Sequence, residues 1–136
     1  MSNVPQDLRY TREHEWARLE DDGRVTVGVT DFAQEQLGDV VFLDLPDAEE
    51  SVEGGEPLGE VESTKSVSDL YSPLTGKVVE INAECKDNPA AVNQDPYGEG
   101  WLLVIEPSDR ADFDALLAPE DYERFLEEEA GEEDES

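Results

Sequence analysis

Apolar residues come along this chain in strand-length blocks set apart by turn formers, which is the pattern of a β-rich domain. Residues 16–20 make a short amphipathic run. Beyond Asp21-Asp22-Gly23, the residues Val25, Val27 and Val29 alternate with smaller or polar ones. Two such runs around an Asp-Gly pair predict a hairpin. The spacing over 32–37 predicts a short helix, capped by the side chain of Thr30 or Asp31, with Gly38 suited to its C-terminal end. Residues 40–45 form a more continuous apolar strand that Pro46 stops. Gly54-Gly55-Glu56-Pro57 is a turn into a strand over 58–62, which Ser63-Thr64-Lys65-Ser66 interrupts and 67–70 resumes.

After Pro73 and Gly76 the pattern predicts a strand over 77–82, and residues 101–105 close the β-rich part. Asn88-Pro89 opens a single helical turn, with Asn88 as the cap and the proline in the first helical position. From Ser108 the period becomes helical: Phe113, Leu116 and Leu117 share a face, and a second helix from Pro119 carries Tyr122, Phe125 and Leu126 on one side. The expectation is one mostly β domain over residues 1–126, followed by an acidic tail, 127–136, that stays solvated and disordered. No long linker and no strong repeat divides the chain.

Charge changes the picture. In 136 residues, 37 acidic side chains face 9 basic ones, a net charge of −28. Such a field repels phosphate backbones and anionic membrane surfaces, so nucleic-acid and membrane partners are not expected. No apolar run approaches the ~20 residues that cross a bilayer. The first residues lack the charged-then-apolar pattern of a secretory signal. One cysteine, Cys85, rules out an intramolecular disulfide and suits a reducing compartment. The chain is therefore expected to be cytoplasmic. High net charge with low hydrophobicity is also the signature of disorder, but the ordering of apolar blocks argues for a folded core with an acidic skin. Self-repulsion of this size is tolerated where counter-ions screen it, so a salt-rich cytosol fits best.

Candidate chemistry is sparse. His14-Glu15-Trp16-Ala17-Arg18 begins like a zinc-protease helix but has no second histidine, and one histidine with one cysteine leaves a metal short of ligands. A Cys85–His14 nucleophile pair lacks any local motif, and Cys85 reads as a small hydrophobe at a strand end. Gly76-Lys77 lacks the rest of a phosphate loop. Lys65 differs: it is one of three lysines, at a hairpin tip between small hydroxyl residues. A flexible stem ending in an amine is a natural acceptor for an acyl group, although a plain exposed lysine has the same appearance.

The stretch from Gly59 to Gly76, GEVESTKSVSDLYSPLTG, resembles the lipoyl-lysine hairpin of the glycine cleavage system H proteins. Tyr10 followed by His14-Glu15-Trp16, then Gly28-Val29-Thr30-Asp31-Phe32-Ala33-Gln34 and Leu37-Gly38-Asp39-Val40-Val41-Phe42, are similar to earlier motifs of that family. Val92-Asn93-Gln94-Asp95-Pro96-Tyr97-Gly98-Glu99-Gly100-Trp101-Leu102 is similar to its late one. The likeness runs in order from about Leu8 to Leu126. It implies a barrel-sandwich hybrid of the biotinyl/lipoyl type: mainly β, two small antiparallel sheets packed on each other, with short helices and a helical C-terminal end. It also implies lipoate, covalently attached at Lys65. Glu62 and Gly76 match flanking positions read by lipoate-attaching enzymes, and Glu15 and Asp69 match acidic positions at a cleft that receives the loaded arm. Thr64 and Ser66 stand where biotin carriers usually have methionines, which disfavours biotin. Cys85 replaces a larger aliphatic residue of the family.

The implied role is a non-catalytic carrier. It would take an aminomethyl group from a pyridoxal phosphate-dependent glycine decarboxylase to a tetrahydrofolate-dependent aminomethyltransferase, and bring the reduced dithiol to dihydrolipoamide dehydrogenase. Two other readings remain open at this stage: a relay of lipoyl groups to other complexes through the same Lys65, and an enzyme or acidic interaction module with Lys65 unmodified. The thermal midpoint should rise as potassium chloride goes from about 0.05 M to about 2 M, because screening relieves self-repulsion. A flat or falling midpoint would remove the case for salt adaptation.

Overall fold

The fold is that of a computed structural model, which describes residues 4–135, with side chains in the last helix described as far as residue 128. In chain order the elements are β1 (Arg9–Tyr10), β2 (Glu15–Leu19), β3 (Val25–Val29), α1 (Asp31–Leu37), β4 (Val40–Asp44), β5 (Ser51–Val52), β6 (Pro57–Ser63) and β7 (Val67–Tyr71). There follow β8 (Gly76–Ile81), α2 (Ala83–Asp87), α3 (Ala90–Gln94), β9 (Leu103–Pro107), α4 (Ala111–Asp114) and α5 (Pro119–Glu135). Among the described residues the strands form a six-stranded sheet in the order β1-β2-β3-β9-β8-β5 and a three-stranded sheet in the order β4-β6-β7. Every strand pairing is antiparallel.

The two sheets share one core. Val25, Val27, Val78 and Ile105 of the larger sheet pack with Leu43, Val61 and Leu70 of the smaller one. Their burial is the main source of stability, at about 25 cal/mol for each Å² of apolar surface removed from water. The expected pair of small antiparallel sheets packed on each other is what forms. A second cluster lies outside it, where α5 closes over β1 and β2. Tyr122 stacks on Tyr10 with ring centroids 4.6 Å apart and planes 6° from parallel. Leu8 and Trp16 complete the buried part of this cluster, so the helical face carrying Tyr122, Phe125 and Leu126 is used as its spacing predicts.

Several local features follow the sequence closely. The β2–β3 hairpin turns at Asp21-Asp22-Gly23, and Thr30, not Asp31, caps α1, its hydroxyl accepting the Ala33 N–H at 3.2 Å. Others differ. The run over 40–45 is not buried throughout: an irregularity between Val40 and Phe42 sets the pleat back one position and leaves Val41 and Phe42 about half exposed, at 49% and 54%. Asn88 does not cap through its side chain; Pro89 stands at the start of α3 with no side-chain cap. The capping asparagine is Asn82, whose Oδ1 accepts the Cys85 N–H and opens α2. Cys85 therefore sits in a helix, not at a strand end, although it is buried as a small hydrophobe. The sequence carries little sign of α2, because only one of its five residues is buried and no amphipathic period can develop. β1 and β5 are too short to show a period of two. The backbone of α5 continues through the residues assigned to the tail as far as Glu135, while Ser136 lies outside the described residues.

The Thr30 hydroxyl has a second contact, the Tyr122 hydroxyl at 2.8 Å. One buried oxygen thus ties α1 to α5. Thr30→Ala should lower stability by about 1–2 kcal/mol, by loss of the cap and of a buried partner, whereas Thr30→Ser should stay near the parent. Urea unfolding measures both, and an unmoved midpoint in Thr30→Ala would mean that neither bond contributes.

Candidate functional site

The β6–β7 hairpin is drawn tight by Ser63. Its buried hydroxyl accepts the N–H of Lys65 at 3.3 Å and of Ser66 at 3.1 Å, and donates to the Ser66 carbonyl at 3.1 Å. A short hydroxyl side chain that both donates and accepts suits such a turn. The tip is held from outside at Thr64, whose N–H donates to the Asp39 carbonyl at 3.0 Å. Lys65 is exposed, and the structure records no ion pair for it among the described residues. Its stem passes Gly38, where an added Cβ would lie 3.4 Å from Lys65 Cε. Gly38 has φ of +80°, a conformation that favours glycine.

Beside the hairpin lies a cleft of about 290 Å³. One wall is the β7 edge with Val67 and Asp69, a second is the face of α1 with Ala33 and Gln36, and the third is residues 13–15 at the start of β2. Val29, Leu37, Val61 and Leu70 supply apolar surface. The expected cleft residues Glu15 and Asp69 are thus brought together, but in different settings. Asp69 is exposed on the rim, whereas Glu15 is 1% exposed. The Thr11 hydroxyl donates to Glu15 Oε1 at 2.7 Å and the Tyr71 N–H to Oε2 at 3.0 Å. Burial pushes its carboxyl up to about 7, against the opposing pull of those two hydrogen bonds.

His14 also lines the cleft; in the sequence it stands in an incomplete metal or nucleophile motif and in the His14-Glu15-Trp16 family motif, neither of which gives it a cleft role. It adopts φ of +69°, its Nδ1 lies 2.8 Å from the Tyr122 hydroxyl, and its ring packs 4.7 Å from that of Phe32. Burial holds its pKa below the ordinary histidine value. Its place in that family motif, beside Glu15, is the signal that could have found it. The Cys85–His14 pair does not form: Cys85 belongs to the core between the sheets, where burial pushes its thiol up to about 11. Among the described residues no group of three or more His, Cys, Asp or Glu side chains is placed to hold a metal ion, and no helix is long and apolar enough to cross a membrane.

The two remaining expected site residues lie in different sheets. Glu62 is exposed near the tip, between Phe42 and Val67 on the flanking strands. Gly76 is buried in the six-stranded sheet, where it pairs with Val52 and Pro107. A Cβ at position 76 would run into the Glu106 carbonyl oxygen, so a close backbone approach is enough to require glycine there.

The family model described as Glycine cleavage H-protein matches residues 8–129. The glycine cleavage system H protein of Rubrobacter xylanophilus is 58% identical over 129 residues, covering 95% of this chain and 99% of that protein. That of Carboxydothermus hydrogenoformans is 53% identical over 130 residues, covering 95% and 98%. Among solved structures, the crystal structure of a glycine cleavage system H protein from Mycobacterium marinum superposes with a TM-score of 0.81 at 45% identity, covering 88% of this chain and 95% of that one.

The burial of Glu15 makes a prediction about pH. Below its ordinary value of 4.5 the carboxyl is protonated in both the folded and the unfolded chain, so it adds no pH dependence. Between 4.5 and about 7 the unfolded chain releases the proton while the folded one keeps it, so stability falls as pH rises. The fall reaches up to about 3 kcal/mol and then levels. Glu15→Gln keeps an acceptor for Tyr71 and cannot ionise, so its stability relative to the parent should climb across that window. Denaturant midpoints of the pair at several pH values measure the difference; a flat difference would mean that Glu15 ionises normally.

Proposed function

Because the chain belongs to the glycine cleavage H-protein family, we propose that it is the lipoyl carrier of a glycine cleavage system, with the lipoyl group in amide linkage to Lys65 Nζ. The observation that carries this reading is an exposed lysine at the tip of a serine-tied hairpin, beside a cleft with an apolar floor and a carboxylate rim. The residues suit the group: among the described residues the amine makes no ion pair, and the cleft is about the size of a small-molecule site. When bound, a lipoyl group brings its own dithiolane and hence thiol–disulfide chemistry, which a chain with a single buried cysteine does not itself supply.

The chain's own work is then to present and to shelter. Lys65 holds the arm out where an enzyme can reach it. Asp69 at the rim and Glu15 beneath it favour an ammonium group in the cleft by charge-assisted hydrogen bonding, and a cation there draws the proton off Glu15. Val29, Val61 and Leu70 keep water away from that side. Glu62 is read by the lipoate-attaching enzyme at the tip, and Gly76 contributes through the integrity of the sheet. In this reading the protein is not itself catalytic. Its partners are a pyridoxal phosphate-dependent glycine decarboxylase, a tetrahydrofolate-dependent aminomethyltransferase and dihydrolipoamide dehydrogenase, in the cytoplasm. The carrier unit is residues 1–126, and the acidic residues 127–136 add solubility.

Lys65→Arg tests the proposal. Arginine keeps the positive charge and cannot accept the acyl group. At an exposed site it should change stability by no more than about 0.5 kcal/mol. Intact-mass and peptide mass spectrometry on protein from lipoate-replete cells should find the lipoyl increment on Lys65 of the parent and none in the variant. The variant should also fail to support glycine decarboxylation with the partner enzymes. An unmodified parent, or an active variant, would overturn the reading.

A further inference from the structure

The motif over 92–102 sits on neither the hairpin nor the cleft, yet its side chains and carbonyls reach back to the elements that build both. The Tyr97 hydroxyl accepts the Asp31 N–H at 2.9 Å, at the start of α1. The Pro96 carbonyl accepts the Trp16 indole N–H at 2.9 Å. Asn93, on α3, engages the other end of α1. Its Nδ2 donates to the Gly38 carbonyl at 2.8 Å and to Gln34 Oε1 at 3.1 Å, and its Oδ1 accepts the Val40 N–H at 2.9 Å.

Those contacts bracket Asp39. The residue before it and the residue after it are both fastened to the same primary amide. The carbonyl of Asp39 is the acceptor for Thr64 N–H, next to Lys65. Gly38, one of the two fastened residues, is also the one that the Lys65 stem passes. A carboxamide is the side-chain group that offers donors and an acceptor side by side at this length. Aspartate has no donor when ionised, and leucine has neither function.

We propose that Asn93 is a positioning residue for Lys65: by clamping both sides of Asp39 it fixes the carbonyl that holds Thr64, and so sets where the hairpin presents the lysine relative to the cleft. The proposal rests on the reading of Lys65 as the lipoyl site. It adds that the late motif acts on the arm from 28 residues further along the chain, through one peptide carbonyl. Loosening the clamp leaves the chemistry of the amine untouched and lowers the fraction of molecules whose tip is held for an enzyme. Apparent affinity falls by that fraction, so the change belongs in KM and not in kcat.

The test uses the full chain with Asn93→Asp and, as control, Gln34→Ala. Aspartate keeps an acceptor for Val40 but sets a carboxylate against the Gly38 carbonyl. In Asn93→Asp the Thr64 amide should exchange with deuterium about tenfold faster, the worth of roughly one net hydrogen bond, while amides of β3 and β9 stay at parent rates. KM for the parent's own attachment reaction, run with a lipoate-attaching enzyme and lipoate, should rise by about the same factor with kcat within about twofold. Gln34→Ala removes the one Asn93 bond that does not flank Asp39, and should leave both readouts at parent values. Parent-like Thr64 exchange and KM in Asn93→Asp would overturn the proposal, as would equal effects from Gln34→Ala. Should Asn93→Asp fail to fold, the parent decides: the amides of Val40 and Thr64 should then report one opening with one free energy, and a Thr64 amide that exchanges while Val40 stays protected overturns the clamp. A parent that never acquires lipoate fails the lipoyl reading instead, and leaves the exchange result to judge the clamp alone.

Discussion

The two sheets are joined at a buried carboxylate. Glu15 begins β2 of the larger sheet, and its Oε2 receives the N–H of Tyr71 at the end of β7, the edge of the smaller sheet. Its other oxygen is taken by Thr11, whose hydroxyl in turn accepts the Glu15 N–H at 3.1 Å. A carboxyl group taken out of water loses its hydration when charged unless hydrogen bonds replace it. Thr11 and Tyr71 replace part of it, and burial still favours the protonated form, pushing the group up to about 7. What depends on this junction is the spacing between β2 and the β7 edge, which is the width of the cleft. The same turn forces His14 to a positive φ, and a non-glycine residue there persists only where its surroundings hold it. They do so from several sides: Thr30 N–H donates to the His14 carbonyl at 3.0 Å, and the ring is packed between Phe32 and Phe125.

A net charge of −28 sits on this frame without contributing to it. The recorded ion pairs, such as Arg18–Glu20 and Lys77–Glu49, are substantially exposed, and pairs of that kind are worth little. Cohesion comes instead from apolar burial between the sheets and from buried polar side chains with satisfied partners, among them Thr30, Ser63 and Asn82. Charge and fold are therefore separable in this molecule. The acidic skin lies outside the core, whose cohesion does not draw on it. The exception is the cleft, where Glu15 and Asp69 are held in place by the fold and face a space that a cation can enter.

Presenting a lysine at a fixed height makes two demands that conflict. The tip must be exposed, so it can gain little from burial, and it must not wander. Ser63 meets the second demand locally by tying the turn to itself. The Thr64–Asp39 bond meets it from outside, where α1 and α3 supply rigidity that a two-stranded tip lacks. Small residues follow from the same geometry: Gly38 leaves passage for the Lys65 stem, and Gly76 permits the approach of β8 to Glu106.

The β-rich character, the β2–β3 and β6–β7 hairpins, the short helix α1 and the apolar face of α5 are legible in the sequence, because each is a local pattern of period two or 3.6 with its own turn or cap. The choice of Thr30 over Asp31 as the cap of α1 came with the structure. The ordered motifs also carried the family likeness and singled out Lys65, since a hairpin tip is a local object. β1 and β5 are illegible because two residues cannot establish a period of two, and α2 because five helical residues with one buried show no period of 3.6. Tertiary structure alone decided that Val41 and Phe42 face outward, since a shift of register between β4 and β6 is a relation between strands. It alone put His14 in the cleft wall and buried Glu15 while leaving Asp69 exposed. Two carboxylates that read alike in a sequence differ here because one accepts a hydrogen bond across two sheets and the other faces water, and that difference is set by residues 56 positions apart.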